Sequence, residues 1–248
     1  MKVLLAIPAR YGSSRFEGKP LAMIHGKTMI QRVYEQCCKV QTLTQNSIDV
    51  IVATDDERIF NHVKEFGKVQ MTSRSHESGT DRVAEAVNAS KNTYDVVINV
   101  QGDEPLIHPE QILQLINCFK IEGTKIATLI RPAKYSVALE SSNTVKCIVN
   151  HQLKAIYFSR HTIPFYRDTP PAEDKKFFVH VGMYGFTPDT LQKLTALPVS
   201  WLEKAECLEQ LRWLEFGFEI QTALTTFENI SVDSPEDLLK VQNQIATN

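Results

Sequence analysis

The sequence lacks the patterns that most quickly assign an α/β chain. It contains no G-x-G-x-x-G, so the dinucleotide-binding fingerprint is absent. It has no Walker loop either: five residues, not four, separate Gly12 from Gly18, and Pro20 stands where a Ser or Thr would bind magnesium. The histidines (His25, His62, His76, His108, His151, His161 and His180) never fall as H-x-x-x-H, which argues against zinc. Cys37, Cys38, Cys118, Cys147 and Cys207 are odd in number and form no C-x-x-C pair, against a disulfide framework or zinc ribbon. A reducing cytoplasm suits them. No apolar run reaches the roughly 18 residues of a membrane span. A strand is expected directly after Met1, with no signal peptide. The formal charge of −2 supplies no basic field for nucleic acid, so any polyanion must meet a local cation cluster. Repeats and low-complexity tracts are absent.

One such cluster is present. Residues 7 to 21 read IPARYGSSRFEGKPL and follow the apolar run Val3–Ile7. Arg10, Arg15 and Lys19 share this stretch with Gly12, Ser13, Ser14 and Gly18. A loop leaving the first parallel strand is where α/β proteins bind ligands. Glycines let the backbone approach a phosphate, and clustered N–H groups form an anion nest. Such a loop, having no metal-binding hydroxyl of its own, needs acidic metal ligands from elsewhere in the chain.

Periodicity predicts strands alternating with helices over the first 130 residues. Helical spacing of Met29, Ile30, Val33, Tyr34 and Cys37 leads to a strand over 48–53. A helix with Ile59, Val63 and Phe66 leads to a third strand over 69–72. A polar loop over 73–82 leads to a helix through Val83 and Val87, and the β-branched run Val96–Val100 reads as a strand covered on both faces. Pro109 opens a helix carrying Ile112, Leu115, Ile116 and Phe119. The expectation is an α/β fold with a mixed, mainly parallel, doubly wound sheet. Beyond it, strand-like runs at 126–130, 145–149, 155–159 and 177–186 suggest an α+β lobe inserted near 131–190. Outer strands of such a lobe could pair with a second subunit. Helices at 188–197 and about 201–216, a strand at 218–226 and a helix from Pro235 complete the chain. As one domain over 1–248, it then divides into a nucleotide-binding portion (1–130), a sugar-binding and dimerisation lobe (131–190) and a return to the main sheet (191–248).

Two carboxylates stand out. Asp103 lies in NVQGDEP at the end of the central strand, on the same sheet edge as the first loop. A turn-forming role alone would account for it. In SVDSPED, Ser234 is the natural N-cap, Pro235 the first helical residue and Asp237 the capping-box partner. Asp233 is then left over, and two spare carboxylates at strand exits suit magnesium completed by phosphate oxygens and water.

The chain resembles the 3-deoxy-manno-octulosonate (KDO) cytidylyltransferase family. The matching segments, in family order, are IPARY with GKPL, VATD (52–55), SGTDR (78–82), NVQGDEP (99–105), YFSR (157–160), LEQLR (208–212) and VDSPEDL (232–238). The resemblance implies CMP transfer from CTP to an eight-carbon acid sugar, with pyrophosphate released, for lipopolysaccharide assembly. It further implies a nucleotide-diphospho-sugar transferase (glycosyltransferase-A-like) fold, a requirement for Mg2+, and a cytoplasmic homodimer. It assigns Pro8, Ala9, Arg10, Ser13 and Lys19 to the nucleotide, with Arg74, Ser78 and Gly79 near the cytosine. Arg10, Arg15 and Lys19 would hold the triphosphate, and Asp103 and Asp233 the metal. Arg160 would meet the sugar carboxylate, and Gln101, His180, Tyr184 and Glu209 its hydroxyls. His180 and Tyr184, four residues apart on a strand, share one face; a core role for either is the alternative. Glu209 is expected on a helix whose Trp201, Leu202, Ala205, Leu208 and Leu211 pack inward, and a solvent-facing position is its alternative.

Departures from the family pattern leave these cations and acids intact, although one departure, Glu17, puts a carboxylate inside the cation loop. Glu17 replaces a proline, Glu77 a glutamine, Trp201 a proline and Ser231 a glycine, and SSNT (141–144) lacks the usual Asn-Pro. An extra carboxylate could pair with the ammonium of an 8-amino-8-deoxy sugar, which keeps that analogue open beside KDO. A sialic-acid-type synthetase and a CTP-binding sensor without turnover are the alternatives. The first would carry a different Gly-Ser-Lys loop, and the second would lose a metal carboxylate.

Overall fold

The computed structural model describes residues 1–12, 16–168, 171 and 174–246. The chain forms β1 (Lys2–Ala9), a 3-10 turn (Lys19–Leu21), the small pair β2 (Met23–Ile24) and β3 (Lys27–Thr28), and α1 (Met29–Leu43). It continues with β4 (Ser47–Thr54), α2 (Glu57–Lys64), β5 (Val69–Met71), α3 (Gly79–Asn88), β6 (Val96–Asn99) and α4 (Pro109–Cys118). Then come β7 (Ile126–Ala133), α5 (Val137–Glu140), β8 (Lys146–Val149), β9 (Ala155–Ser159) and β10 (Phe177–Phe186). The last elements are α6 (Pro188–Thr195), α7 (Trp201–Glu206), α8 (Glu209–Glu215), β11 (Gln221–Leu224) and α9 (Pro235–Ala246).

Among the described residues the main sheet has nine strands, ordered β11-β7-β10-β6-β1-β4-β5, with β8 joined to β10 and β9 to β8. β1 pairs in parallel with both β4 and β6, β5 with β4, and β11 with β7; β10 runs antiparallel between β6 and β7. The sheet is thus mixed and mostly parallel along that order. β10 lies inside it, so the segment between Ala133 and Phe177 is what stands out from the strand order.

Period two explains why β1 is apolar throughout. Val3, Leu5 and Ile7 enter one core with α1 and α4 residues such as Val33 and Ile112, while Leu4 and Ala6 enter another with Val97, Phe158 and Trp213. Helices cover both faces, the arrangement that favours continuous hydrophobic strands. A third cluster, Ile24, Met29, Val232 and Val241, joins α9 to the region around β2.

Three local expectations need correction. α3 begins at Gly79, within the segment expected to be loop to Arg82. Ser78 caps it: its hydroxyl oxygen accepts from the Asp81 N–H at 3.1 Å, and Asp81 accepts in return from the Ser78 N–H at 3.3 Å. The single helix expected over 201–216 is two helices, broken at Cys207, whose φ is 50°. Arg160 competes for the end of α7, donating to the Glu206 carbonyl at 2.6 Å and the Cys207 carbonyl at 3.1 Å. The break folds α7 back along α8, where Arg212 donates to Glu203 at 2.7 Å and the Leu202 N–H to Glu215 at 3.2 Å; Trp201 and Ala205 are exposed, not packed, and Trp213 is the buried aromatic.

Candidate active site

Lys19 reaches the end of β1 because Gly18, just before it, is tied back to Tyr11. The Gly18 N–H donates to the Tyr11 carbonyl at 2.9 Å, and Gly18 has φ 70°, a left-handed conformation suited to glycine. At the exit of β6, a Cβ on Gly102 would lie 2.8 Å from the Pro8 carbonyl oxygen. Glycine there lets the Asp103 turn pass directly over the end of β1. The Val232 N–H donates to the Asp103 carbonyl at 2.9 Å, and Val232 is buried in the third core cluster, so Asp233 is brought beside Asp103.

Three residues distant in the chain meet as a result. The Lys19 ammonium lies 2.7 Å from Asp103 Oδ2 and 3.3 Å from Asp233 Oδ1. All three are partly exposed, at 15% for the lysine and 27% and 39% for the carboxylates. One cation against two anions leaves a local charge of −1, and two carboxylates on one side suit a hard divalent cation that completes its shell with phosphate and water oxygens. Among the described residues, no group of three or more His, Cys, Asp and Glu gathers as a metal cage.

These side chains line a cavity of about 300 Å³ with Pro8, Ala9, Arg10, Ser78, Gly79 and Gln101. Ser13 and Arg15 lie outside the described residues. Arg74 is exposed, with its Nε 3.4 Å from the Asp55 carbonyl, and does not line the cavity. Gln101 donates its amide to the Gly182 carbonyl at 3.0 Å, which ties the cavity to an irregular point in β10.

There Val181 opposes Leu129, while Tyr184 opposes Thr128: two extra residues in β10. An even insertion preserves the facing, and the His180 and Tyr184 rings meet with centroids 5.2 Å apart. The buried Thr128 hydroxyl lies 2.8 Å from the Met183 carbonyl, 3.2 Å from the Val181 carbonyl and 2.9 Å from His180 Nε2, and so ties the ring to the insertion. Burial pushes the His180 pKa down to about 3, so the ring is neutral. Burial raises the Tyr184 phenol, whose oxygen has no hydrogen-bond partner among the described residues. Glu209 begins α8, and its Oε2 accepts from the Thr80 hydroxyl at 2.8 Å. Burial also pushes that carboxyl upward.

Arg160 sits elsewhere. It lines a second cavity of about 640 Å³ with Tyr135, Ser142, Lys175 and Phe177. Besides α7 it serves the Ser142 carbonyl at 2.8 Å. The fully buried Lys146 ties the same segment, donating to the carbonyls of Thr144 (2.6 Å), Ser141 (3.2 Å) and Arg160.

Arg82, His76 and Glu77 also line the first cavity; sequence reasoning assigned the first two no site role and marked Glu77 only as a departure from the family pattern. Arg82 is 3% exposed and donates to Asp55 Oδ2 at 2.8 Å and Thr72 Oγ1 at 2.6 Å. His76 is held by Glu85, which also accepts from the Ser73 N–H at 2.9 Å. The signal for Arg82 was its place in SGTDR; for His76, nothing beyond proximity to that segment. Behind Asp103, burial lifts the Glu104 carboxyl to about 7, opposed by its hydrogen bond from Asn229.

A sheet exit that gathers a lysine and two acids around a polar cavity defines a nucleotidyltransferase-like site. Residues 4–223 match the cytidylyltransferase family model, and the chain belongs to that family. It is 48% identical to the 3-deoxy-manno-octulosonate cytidylyltransferase of Parabacteroides distasonis, over 97% of this chain and 96% of that protein. It is 46% identical to the 8-amino-3,8-dideoxy-manno-octulosonate cytidylyltransferase of Shewanella oneidensis, over 99% of each. A solved CMP:2-keto-3-deoxy-manno-octonic acid synthetase complexed with CTP superposes with a TM-score of 0.91 at 40% identity, covering 100% of this chain and 99% of that one.

Proposed function

We propose that the protein transfers CMP from CTP to a KDO-type eight-carbon acid sugar. The anomeric hydroxyl oxygen attacks the α-phosphorus in line, the bond to the β-phosphate breaks, and pyrophosphate leaves while the hydroxyl proton passes to water. The single observation carrying this reading is the meeting of Lys19, Asp103 and Asp233 on the wall of one cavity.

Lys19 and Arg10, with Arg15 beside them in sequence, hold the triphosphate and stabilise the departing pyrophosphate. Such fixed charge is the main catalytic resource in phosphoryl transfer. Asp103 and Asp233 are the residues that would hold Mg2+, which supplies charge neutralisation and a more acidic attacking hydroxyl. Pro8, Ala9, Ser78 and Gly79 bring backbone close to the nucleotide, Ser13 is assigned to it by its place in the motif, and Arg74, outside the cavity in the free protein, must turn inward to reach the base. Gln101, His180, Tyr184 and Glu209 present neutral or weakly acidic polar atoms to the sugar hydroxyls. Arg160 meets the sugar carboxylate only if it exchanges a carbonyl partner for it.

We take KDO over its 8-amino analogue because the relative named for KDO is the more identical, at 48% against 46%. We assign the first 130 residues to the nucleotide and 131–190 to the sugar and a second subunit, with 191–248 returning Asp233 to the site. Exposed Ile156 and Phe165 support a homodimer through that middle portion. Five free thiols support a reducing, cytoplasmic setting. Among the described residues no helix is long and apolar enough to cross a membrane.

Pyrophosphate release in the presence of CTP, magnesium and each sugar tests the reading. Release that requires KDO, with a higher kcat/KM than for 8-amino-KDO, is expected. CTP binding without release would support a sensor instead, and a preference for the amino sugar would reverse the choice of substrate.

A further inference from the structure

We infer that Thr80 is a positioning residue for the sugar half of the site: its hydroxyl holds the Glu209 carboxylate in the orientation that receives the substrate. This rests on the reading of Glu209 as a sugar contact.

Thr80 stands where the two halves join. The residues just before it, Ser78 and Gly79, line the nucleotide cavity, and Ser78 fixes the start of α3 through its reciprocal bonds with Asp81. Thr80 itself is 4% exposed and turns toward an element 129 residues away, donating to Glu209 Oε2 at 2.8 Å. The other carboxylate oxygen, Oε1, lies 3.7 Å from Arg212 Nη2, beyond a hydrogen bond. Arg212 is committed instead to Glu203 Oε1 at 2.7 Å and the Leu197 carbonyl at 3.2 Å. Among the described residues, the short bond that orients the Glu209 side chain is therefore the one from Thr80.

The consequence is chemical. Glu209 is close enough to Tyr184 for its charge to raise the phenol's pKa, and the Tyr184 oxygen is buried without a partner. Glu209 Oε1, on a side chain 27% exposed, is the polar atom of this pair open to a substrate hydroxyl; the Tyr184 oxygen is closed off behind it. With Oε2 fixed on Thr80, Oε1 stays available. Without that donor, the carboxylate is free to turn toward Arg212 and withdraw from the substrate.

Steady-state kinetics of Thr80→Val, Thr80→Ser, Glu209→Gln and the double variant Thr80→Val/Glu209→Gln test this. Thr80→Val should raise the sugar KM roughly 10-fold, the value of one charge-assisted hydrogen bond, and leave the CTP KM within about 2-fold. Thr80→Ser should restore the sugar KM. The double variant should match Glu209→Gln alone, because Thr80 acts through Glu209. An unchanged sugar KM in Thr80→Val, while Glu209→Gln raises it, overturns the inference and leaves the sugar role of Glu209 standing. Additive effects in the double variant, or equal loss toward CTP and sugar, also overturn it. An unchanged sugar KM in Glu209→Gln removes the underlying reading, and this inference with it. Should Thr80→Val not fold by thermal unfolding, Thr80→Ala removes the same donor and carries the same expectations.

Discussion

The Lys19 region and the β10 region handle polar chemistry in opposite ways. Around Lys19 the charges are paired but unequal and partly open to solvent, with both carboxylates reaching one ammonium. Around β10 the polar groups are pushed toward their neutral forms: His180 far below its usual pKa, the buried Tyr184 far above, and Glu209, with its side chain 27% exposed, raised. A polyanion and its counter-ion need strong fixed charge, which water access makes tolerable in the free protein. A sugar polyol needs directional donors and acceptors, and neutral groups can be buried and preorganised for that purpose at lower desolvation cost.

If the contrast is correct, damage to the two regions should differ in size and kind. The largest effect belongs to Asp103→Ala, which should lower kcat by roughly 10³-fold or more, since several kcal/mol of charge stabilisation depend on it. Pyrophosphate release at near-normal rates in that variant would remove Asp103 as a ligand. Next is Lys19→Ala, with kcat lowered on the order of 10²–10³-fold if its charge acts in the transition state. A change confined to KM for CTP would make it a ground-state binder instead.

The β10 region should respond through the sugar and through stability. Tyr184→Phe removes a buried oxygen that has no partner, so the folded protein should gain about 1 kcal/mol while the sugar KM rises by roughly 10-fold. Loss of stability in denaturant titrations would mean that the oxygen is satisfied in solution.

The pH response of His180 is an effect of a different kind. Its folded pKa is about 3, below the unfolded value of about 6.5. Between those values the unfolded chain binds more protons, so this residue's contribution falls as pH falls through the window. The stability of the wild type relative to His180→Gln should decline from pH 8 toward pH 4, and a constant difference would show that His180 is not held neutral by burial.

Much of the charged region was legible in the sequence. Strand β1 announces itself by composition, the cation loop follows it, and Asp233 was identifiable because Ser234 and Asp237 already account for the helix cap. In the structure, the Asp237 carboxylate accepts from the Ser234 hydroxyl at 3.0 Å and from the Asp233 N–H at 3.3 Å, which steadies the same turn. The β10 region was less legible. Period two put His180 and Tyr184 on one face, but nothing local announces the two-residue insertion or the Thr128 hydroxyl that closes it. The break at Cys207 was hidden because its partner, Arg160, comes from a strand nearly fifty residues earlier. That same tertiary bonding is why a motif arginine lines the second cavity: carbonyl partners claim its guanidinium, and sequence spacing carries no record of them.

The central claim is that Asp103 and Asp233 act on one ion beside one nucleotide tail. Calorimetric titration of CTP with magnesium, without sugar, into the wild type, Asp103→Asn, Asp233→Asn and the double variant tests it directly. Either single substitution should abolish most of the magnesium-dependent gain in CTP affinity, and the double should be no worse than the weaker single. Wild-type affinity in Asp233→Asn, with loss only in Asp103→Asn, would contradict the shared site.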